Sequence, residues 1–235
     1  MISNYFKYLK KRFRNFFKVY HLLINGTVIH KSNTIQILGE IVAGKAIEIE
    51  NGVTFKGKVI LSDGVYIGQN CLLEDCSVGA NTKIKSNSIL KDCNIGSNAL
   101  IGPYARIRPN TSIDDKTQIG TFVEIKNSHI GINSKINHLT FIGDAMIGDD
   151  VVIGAGSVTC NFDGISTQKT IIGDKAFIGS GVFLVAPVKV SNGSTIGSGS
   201  VITSDVPPDK LTIARSRQIT IENWRGPKKD KKNEN

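Results

Sequence analysis

From residue 49 onward an apolar residue returns at nearly every sixth position. Ile49, Phe55, Leu61, Ile67 and Leu73 are six apart, and Val78, Ile84, Ile89 and Ile95 follow at steps of five or six. Strict sixes then run through Ile101, Ile107, Ile113, Ile119 and Ile125, followed by Ile130, Ile136, Ile142, Ile147 and Ile153. The pattern resumes at Ile172, Ile178, Leu184, Val190, Ile196 and Ile202. Two places before many of these sits a small or β-branched residue, among them Val53, Val59, Val65, Cys71, Cys76, Cys93, Ala99, Ala105, Thr111, Thr117 and Val123. Alternation within each hexapeptide predicts a short strand, and the period of six predicts a turn after each one. Three such strands make one coil of a parallel β-helix, whose core exists only when coils stack. The pattern predicts roughly eight or nine coils.

The phasing breaks once, between Thr159 and Ile172, where "CNFDGISTQKTI" carries an Asp163-Gly164 turn signal. This stretch, about 160–170, is read as an extruded loop, and loops on a rigid scaffold are where function concentrates. Ahead of the repeat, residues 4–24 read as an amphipathic helix. Phe6, Leu9, Phe13, Phe16, Phe17, Tyr20 and Leu23 form one stripe, and Lys7, Lys11, Arg14 and Lys18 another. Two readings stand: a helix lying on an anionic membrane surface, or one packing on the β-helix or a sister subunit. The chain divides into 1–39 (basic helix and lead-in), 40–206 (β-helix) and 207–235 (C-terminal segment and basic tail, with 226–235 read as disordered).

Charge sharpens this division. The first 39 residues carry seven Lys/Arg and no acid, and residues 225–235 carry five Lys/Arg and two acids. Against a total of +9, this leaves the body near −1. A nucleic-acid groove across the fold is not expected. No run of 18 apolar residues suits a membrane span, and charges interrupt the N-terminal apolar stretch too often for a signal peptide. The four cysteines, Cys71, Cys76, Cys93 and Cys160, fit no zinc spacing and read as free thiols in a reducing cytoplasm. Only His129 and His138 lie in the repeat body, so no metal site is expected.

Arg108 and Lys126 lie 18 residues apart, one coil of three hexapeptides, and should stack about one strand spacing apart. A phosphate could bridge them. Spacing alone leans instead to two solvated charges, or to Lys126 paired with Glu124. His138 falls near a coil corner, as either a proton acceptor or a corner polar residue. Ser180 has no adjacent base to make it a nucleophile.

The segments "GPYARIRPNT", "GTFVEIKNS", "SKINHLTFIGDAMIG", "IGAGSVTCNFDG", "KTIIGDKAFIGS", "LVAPVKV" and "IENWRGP" occur in this order. Together they resemble the C-terminal acetyltransferase domain of the bifunctional N-acetylglucosamine-1-phosphate uridyltransferase / glucosamine-1-phosphate N-acetyltransferase, closely over residues 95–227. No uridyltransferase half is expected here. The resemblance implies an all-β, left-handed parallel β-helix assembled as a homotrimer with shared sites. It implies His138 as general base with Glu124 nearby, Arg108 and Lys126 on a phosphate, and Asn161 in the site. Ala155, Ser180, Ser198, Arg215 and Trp224 would fall on the acetyl-CoA side. Ala155 would offer its N–H to the thioester, and Trp224 would come from a neighbouring chain. Phe141 and Phe162 stand where the family has Tyr, Val152 where it has a sugar-contacting Asn, Thr167 where it has Lys, and Ser198 where it has Ala. The implied reaction is acetyl-CoA-dependent, metal-free N-acetylation of an amino-sugar phosphate such as glucosamine 1-phosphate. It would take place in the cytoplasm or on the inner membrane face. A nucleotide-linked or envelope amino sugar, and a non-catalytic trimeric scaffold, are the alternatives.

Overall fold

A computed structural model describes residues 2–224 and 226, with side chains for residues 10, 12–224 and 226. Phe6, Lys7, Leu9 and Lys11 of the expected stripes, and the 226–235 tail apart from Gly226, therefore lie outside the described residues. The chain is a left-handed parallel β-helix with one helix at its start.

Strands stack on three faces. The first face has eleven strands, from Val28–Ile29 to Leu211–Thr212. The other two faces join through four long strands, Gln36–Ala43, Thr54–Leu61, Leu72–Val78 and Ile89–Ile95, each of which bends across a corner. Pairing thus begins ahead of residue 40 and continues past 206, giving more rungs than the eight or nine coils expected. Val28 is exposed and Ile29 only half-buried, so that rung lacks the fully buried aliphatic that marks the later ones.

Inward columns account for the periodicity. Ile37, Phe55 and Leu73 are register partners on the second face, as are Ile107, Ile125 and Ile142, and all are buried. The small positions Val53, Val59, Val65, Cys71, Cys76, Cys93, Ala99, Ala105, Thr111, Thr117 and Val123 are also buried, where the chain rounds a corner too tightly for larger groups. One inward position is corrected: Leu90 is buried and Ile89 is 42 % exposed. The five-residue step lies between Leu90 and Ile95, at the second-to-third-face corner, where Asp92 has φ +46°. The same short corner recurs at Asp75, Asn127 and Asp144, with φ of +48°, +44° and +52°. Asx residues suit this left-handed conformation.

The helix α1 (Ile2–Ile24) ends on a Gly26 with φ +86°. Gly26 N–H donates to Leu23 O and Thr27 N–H to Leu22 O, which closes the last turn as a Schellman cap. Val19 and Leu22 bury against the first coil. Asn15 donates to Ile35 O and accepts from Ile37 N–H, and Lys18 donates to Gly39 O. These contacts satisfy backbone groups that an open edge strand would leave exposed.

Candidate functional site

The corner between the first and second faces carries a continuous column. Leu139 N–H donates to Thr121 O, Gly156 N–H to His138 O, Gly181 N–H to Ala155 O, and Gly199 N–H to Ser180 O. His138, Ala155, Ser180 and Ser198 therefore occupy successive turns of one edge, each step about 4.8 Å. His138 is exposed, and its Nδ1 accepts the Thr121 N–H at 3.0 Å. In the neutral ring this places the proton on Nε2. A Cβ at Gly120 would stand 3.1 Å from both His138 N and Nδ1, so the absence of a side chain there lets the imidazole lie close. Beside this column the same corner holds three bulky residues in the left-handed conformation: Tyr104, Phe122 and Leu139, with φ +56°, +57° and +59°. They are 49–66 % exposed, and the rings of Tyr104 and Phe122 stack at 5.1 Å. Backbone strain of this kind concentrates at functional surfaces.

The second face carries the charges. Arg106 and Glu124 are register partners, as are Glu124 and Phe141. Arg108 N–H donates to Ile125 O, so Arg108 and Lys126 stand on adjacent rungs as their spacing requires. Each has a carboxylate of its own. Arg108 Nη1 lies 2.8 Å from Glu124 Oε1, with Arg106 Nη1 at 4.0 Å, and Lys126 Nζ lies 3.5 Å from Asp144 Oδ2. Glu124 thus serves the arginines, while the partner of His138 is the Thr121 amide.

Asp144 is the site residue that spacing did not reveal. It is 7 % exposed and accepts from the side-chain amides of Asn127 and Asn161. Burial raises its carboxyl pKa, but the two amides and Lys126 outweigh burial and hold it below the ordinary value. Asn161 is itself buried, with its side-chain amide direction set by Asp144, and its backbone carbonyl accepts the Gln168 backbone N–H at 2.7 Å. The position of Asp144 at a five-residue corner was the available signal.

A folded pKa below the unfolded one means the stabilisation is complete above about pH 4 and is lost as pH falls through the folded value. Asp144→Asn is therefore expected to cost about 1–3 kcal/mol at pH 7, because buried donors lose an acceptor. It should also flatten the acid limb of the stability curve. Urea unfolding across a pH series checks this; a variant that keeps the native acid limb contradicts it.

The interruption of the repeat is a loop. Strands Val158–Cys160 and Thr170–Ile172 flank it, and Thr159 keeps the inward position, its Oγ1 accepting Gly143 N–H at 2.7 Å. Within the loop Phe162 bridges Thr167, and Asp163 accepts the Ser166 and Ile165 amides, which lower its pKa. Phe162 is 63 % exposed. A Cβ at Gly143 would come 2.9 Å from both Asn161 Nδ2 and the Phe141 ring, so glycine keeps the floor between them open.

The predicted residues fall into two groups. Arg108, Glu124, Lys126 and Phe141 share the second face, with Asn161 and Phe162 at its far corner. His138, Ala155, Ser180 and Ser198 line its near corner. Val152 pairs with Lys135 and Phe177 on the first face, away from Phe141. Arg215 and Trp224 lie exposed on the C-terminal segment, beside exposed Ile213, Ile219 and Ile221.

Among the described residues, His30, Glu48 and Glu50 form the one group spaced to hold a metal ion. His30 Nε2 meets Glu48 Oε1 at 2.7 Å, and that bond, followed by the charge of Glu50, raises the His30 pKa. This group lies six first-face rungs from His138, roughly 30 Å along the axis. The cysteines are free, Cys71, Cys76 and Cys93 buried and Cys160 half-buried; burial pushes Cys71 up to about 11.

The family model for the GMPPB C-terminal domain matches residues 89–187. The bifunctional protein GlmU of Herminiimonas arsenicoxydans is 46 % identical over 211 residues, which is 90 % of this chain and 47 % of that protein. That of Chromobacterium violaceum is 48 % identical over 208 residues, 88 % of this chain and 46 % of that protein. The chain thus spans about half the length of the curated relatives it matches. In fold it resembles the UDP-N-acetylglucosamine O-acyltransferase LpxA of Moraxella catarrhalis, with a TM-score of 0.59 and 20 % identity over 77 % of this chain and 71 % of that one. The order of its motifs, the extent of these alignments and the β-helix itself make the chain similar, over most of its length, to the C-terminal half of the bifunctional GlmU proteins.

Proposed function

We propose that this protein is an acetyl-CoA-dependent N-acyltransferase acting on an amino sugar. The observation that carries the reading is the edge column, which sets His138 one rung from Ala155 and in line with Ser180 and Ser198. A pantetheine arm laid along that edge would bring its thioester to Ala155 N–H, which would steady the tetrahedral oxyanion. The acceptor amine attacks the thioester carbon. The new C–N bond forms, the C–S bond breaks, and the amine proton passes through His138 to the departing thiolate. Both substrates are held together and no acyl-enzyme is required. To accept the proton at Nε2, the ring must release the Thr121 amide and carry its proton on Nδ1.

The acceptor would lie over the second face. Arg106, Arg108 and Lys126 there outnumber Glu124 and Asp144 by one charge, which favours an anionic group such as a sugar phosphate. Phe141 and Phe162 give that surface a less polar lining than a site built around hydroxyls. Loss of such partners relaxes selectivity for a polar substrate. The lining therefore favours a related, less polar amino sugar, nucleotide-linked or envelope-bound, alongside glucosamine 1-phosphate. The exposed ridge Tyr104–Phe122–Leu139 and the exposed apolar residues of the C-terminal segment support a homotrimer in which a neighbour closes the cleft. Use of acetyl-CoA puts the work in the cytoplasm.

Thiol release from acetyl-CoA against a panel of amino sugars, each with and without a phosphate, tests the reading. Release with at least one member, faster for its phosphorylated form, is expected. Release with none leaves a scaffold and ends the enzymatic reading.

A further inference from the structure

The helix α1 has two apolar faces, and the fold uses only one. Asn15, Val19 and Leu22 meet the first coil. Phe13, Phe16, Phe17, Tyr20, Leu23 and Ile24 recur at spacings of three and four on the flank beside that contact, each 40–63 % exposed. Phe16 stacks on Tyr20 at 6.2 Å, so the stripe is a formed surface. Beside it, a groove of about 910 Å³ runs between the helix and the first coil, with Phe16, Tyr20 and Leu23 on one wall and Ile35, Ile37 and Leu38 on the other.

We infer that this outer face docks on an anionic lipid bilayer, with α1 lying in the plane of the interface. Exposed Lys10 and Arg14 flank the stripe, and residues 1–39 contain no acid. A second copy of the helix would bring like charges together, whereas anionic headgroups complement them. Aromatic and aliphatic side chains on one face with Lys/Arg beside them is the arrangement of interfacial helices. No helix among the described residues is long and apolar enough to cross a membrane, so the contact lies on the surface. The inference is independent of the acyl-transfer reading, since the helix stands roughly 30 Å along the axis from His138.

Co-sedimentation of the full chain with phosphatidylcholine vesicles, with and without phosphatidylglycerol, tests it. Binding is expected only with the anionic lipid, and it should fall as salt rises. Lys10→Gln with Arg14→Gln should weaken it about thirtyfold, at about fivefold per cation. Phe16→Ser with Phe17→Ser should weaken it about tenfold or more. Circular dichroism should show both double variants folded, because neither pair touches the first-coil contacts at Val19 and Leu22. Equal binding to neutral vesicles, no binding by the native chain, or variants within twofold of native overturns the inference. A serine variant that changes the sedimenting mass without vesicles, in a native chain that ignores lipid, assigns the face to a second copy instead.

Discussion

His138→Ala is expected to lower turnover by about 10²–10⁴ while leaving acetyl-CoA affinity unchanged, the range typical for a lost general base. The fold should tolerate the change. The ring is exposed, its side-chain contact is the Thr121 amide, and the Gly156 N–H bond goes to the His138 backbone. That amide contact offers a competing explanation, in which the imidazole only pins the Thr121 corner. His138→Asn separates the two, since a carboxamide oxygen can accept the Thr121 N–H but cannot carry a proton through the reaction at neutral pH. Steady-state kinetics should find the two variants equally slow. Recovery of turnover by asparagine would make His138 a positioning residue.

Phe55→Ala is expected to cost about 3–5 kcal/mol, since the ring is fully buried and its removal leaves a cavity. Phe55 is stacked between Ile37 and Leu73, one coil in from the end that α1 covers. A solenoid is held by nearest-neighbour contacts, so the damage should be local. Hydrogen exchange should show protection lost from Val28 to Leu61, with the rungs around Ile125 retaining theirs. Uniform loss along the chain would contradict the nearest-neighbour picture.

The solenoid was legible because every hexapeptide repeats one physical demand, an inward aliphatic residue one strand after the last. The misassignment at Ile89 shows where the rule is weakest. Two apolar residues stand side by side, and only the short corner at Asp92 decides between them. Val28–Ile29 was missed because no phased neighbour precedes it. In the site, the stacking of Arg108 on Lys126 followed from coil length alone. Their partners did not, because ion pairing depends on which carboxylate the adjacent rung presents. Asp144 is a turn residue whose burial joins Asn127, Asn161 and Lys126 into one network, and burial is not written in its spacing. The distance between the His138 edge and the Asn161 corner is likewise a property of the prism's width, which a linear spacing does not report.

If one edge of the prism is the thioester slot, a structure solved with CoA bound will show the pantetheine running past Ser198 and Ser180 to Ala155, with its sulfur within reach of His138. A CoA seated on another edge, or with its thiol turned away from His138, would contradict it.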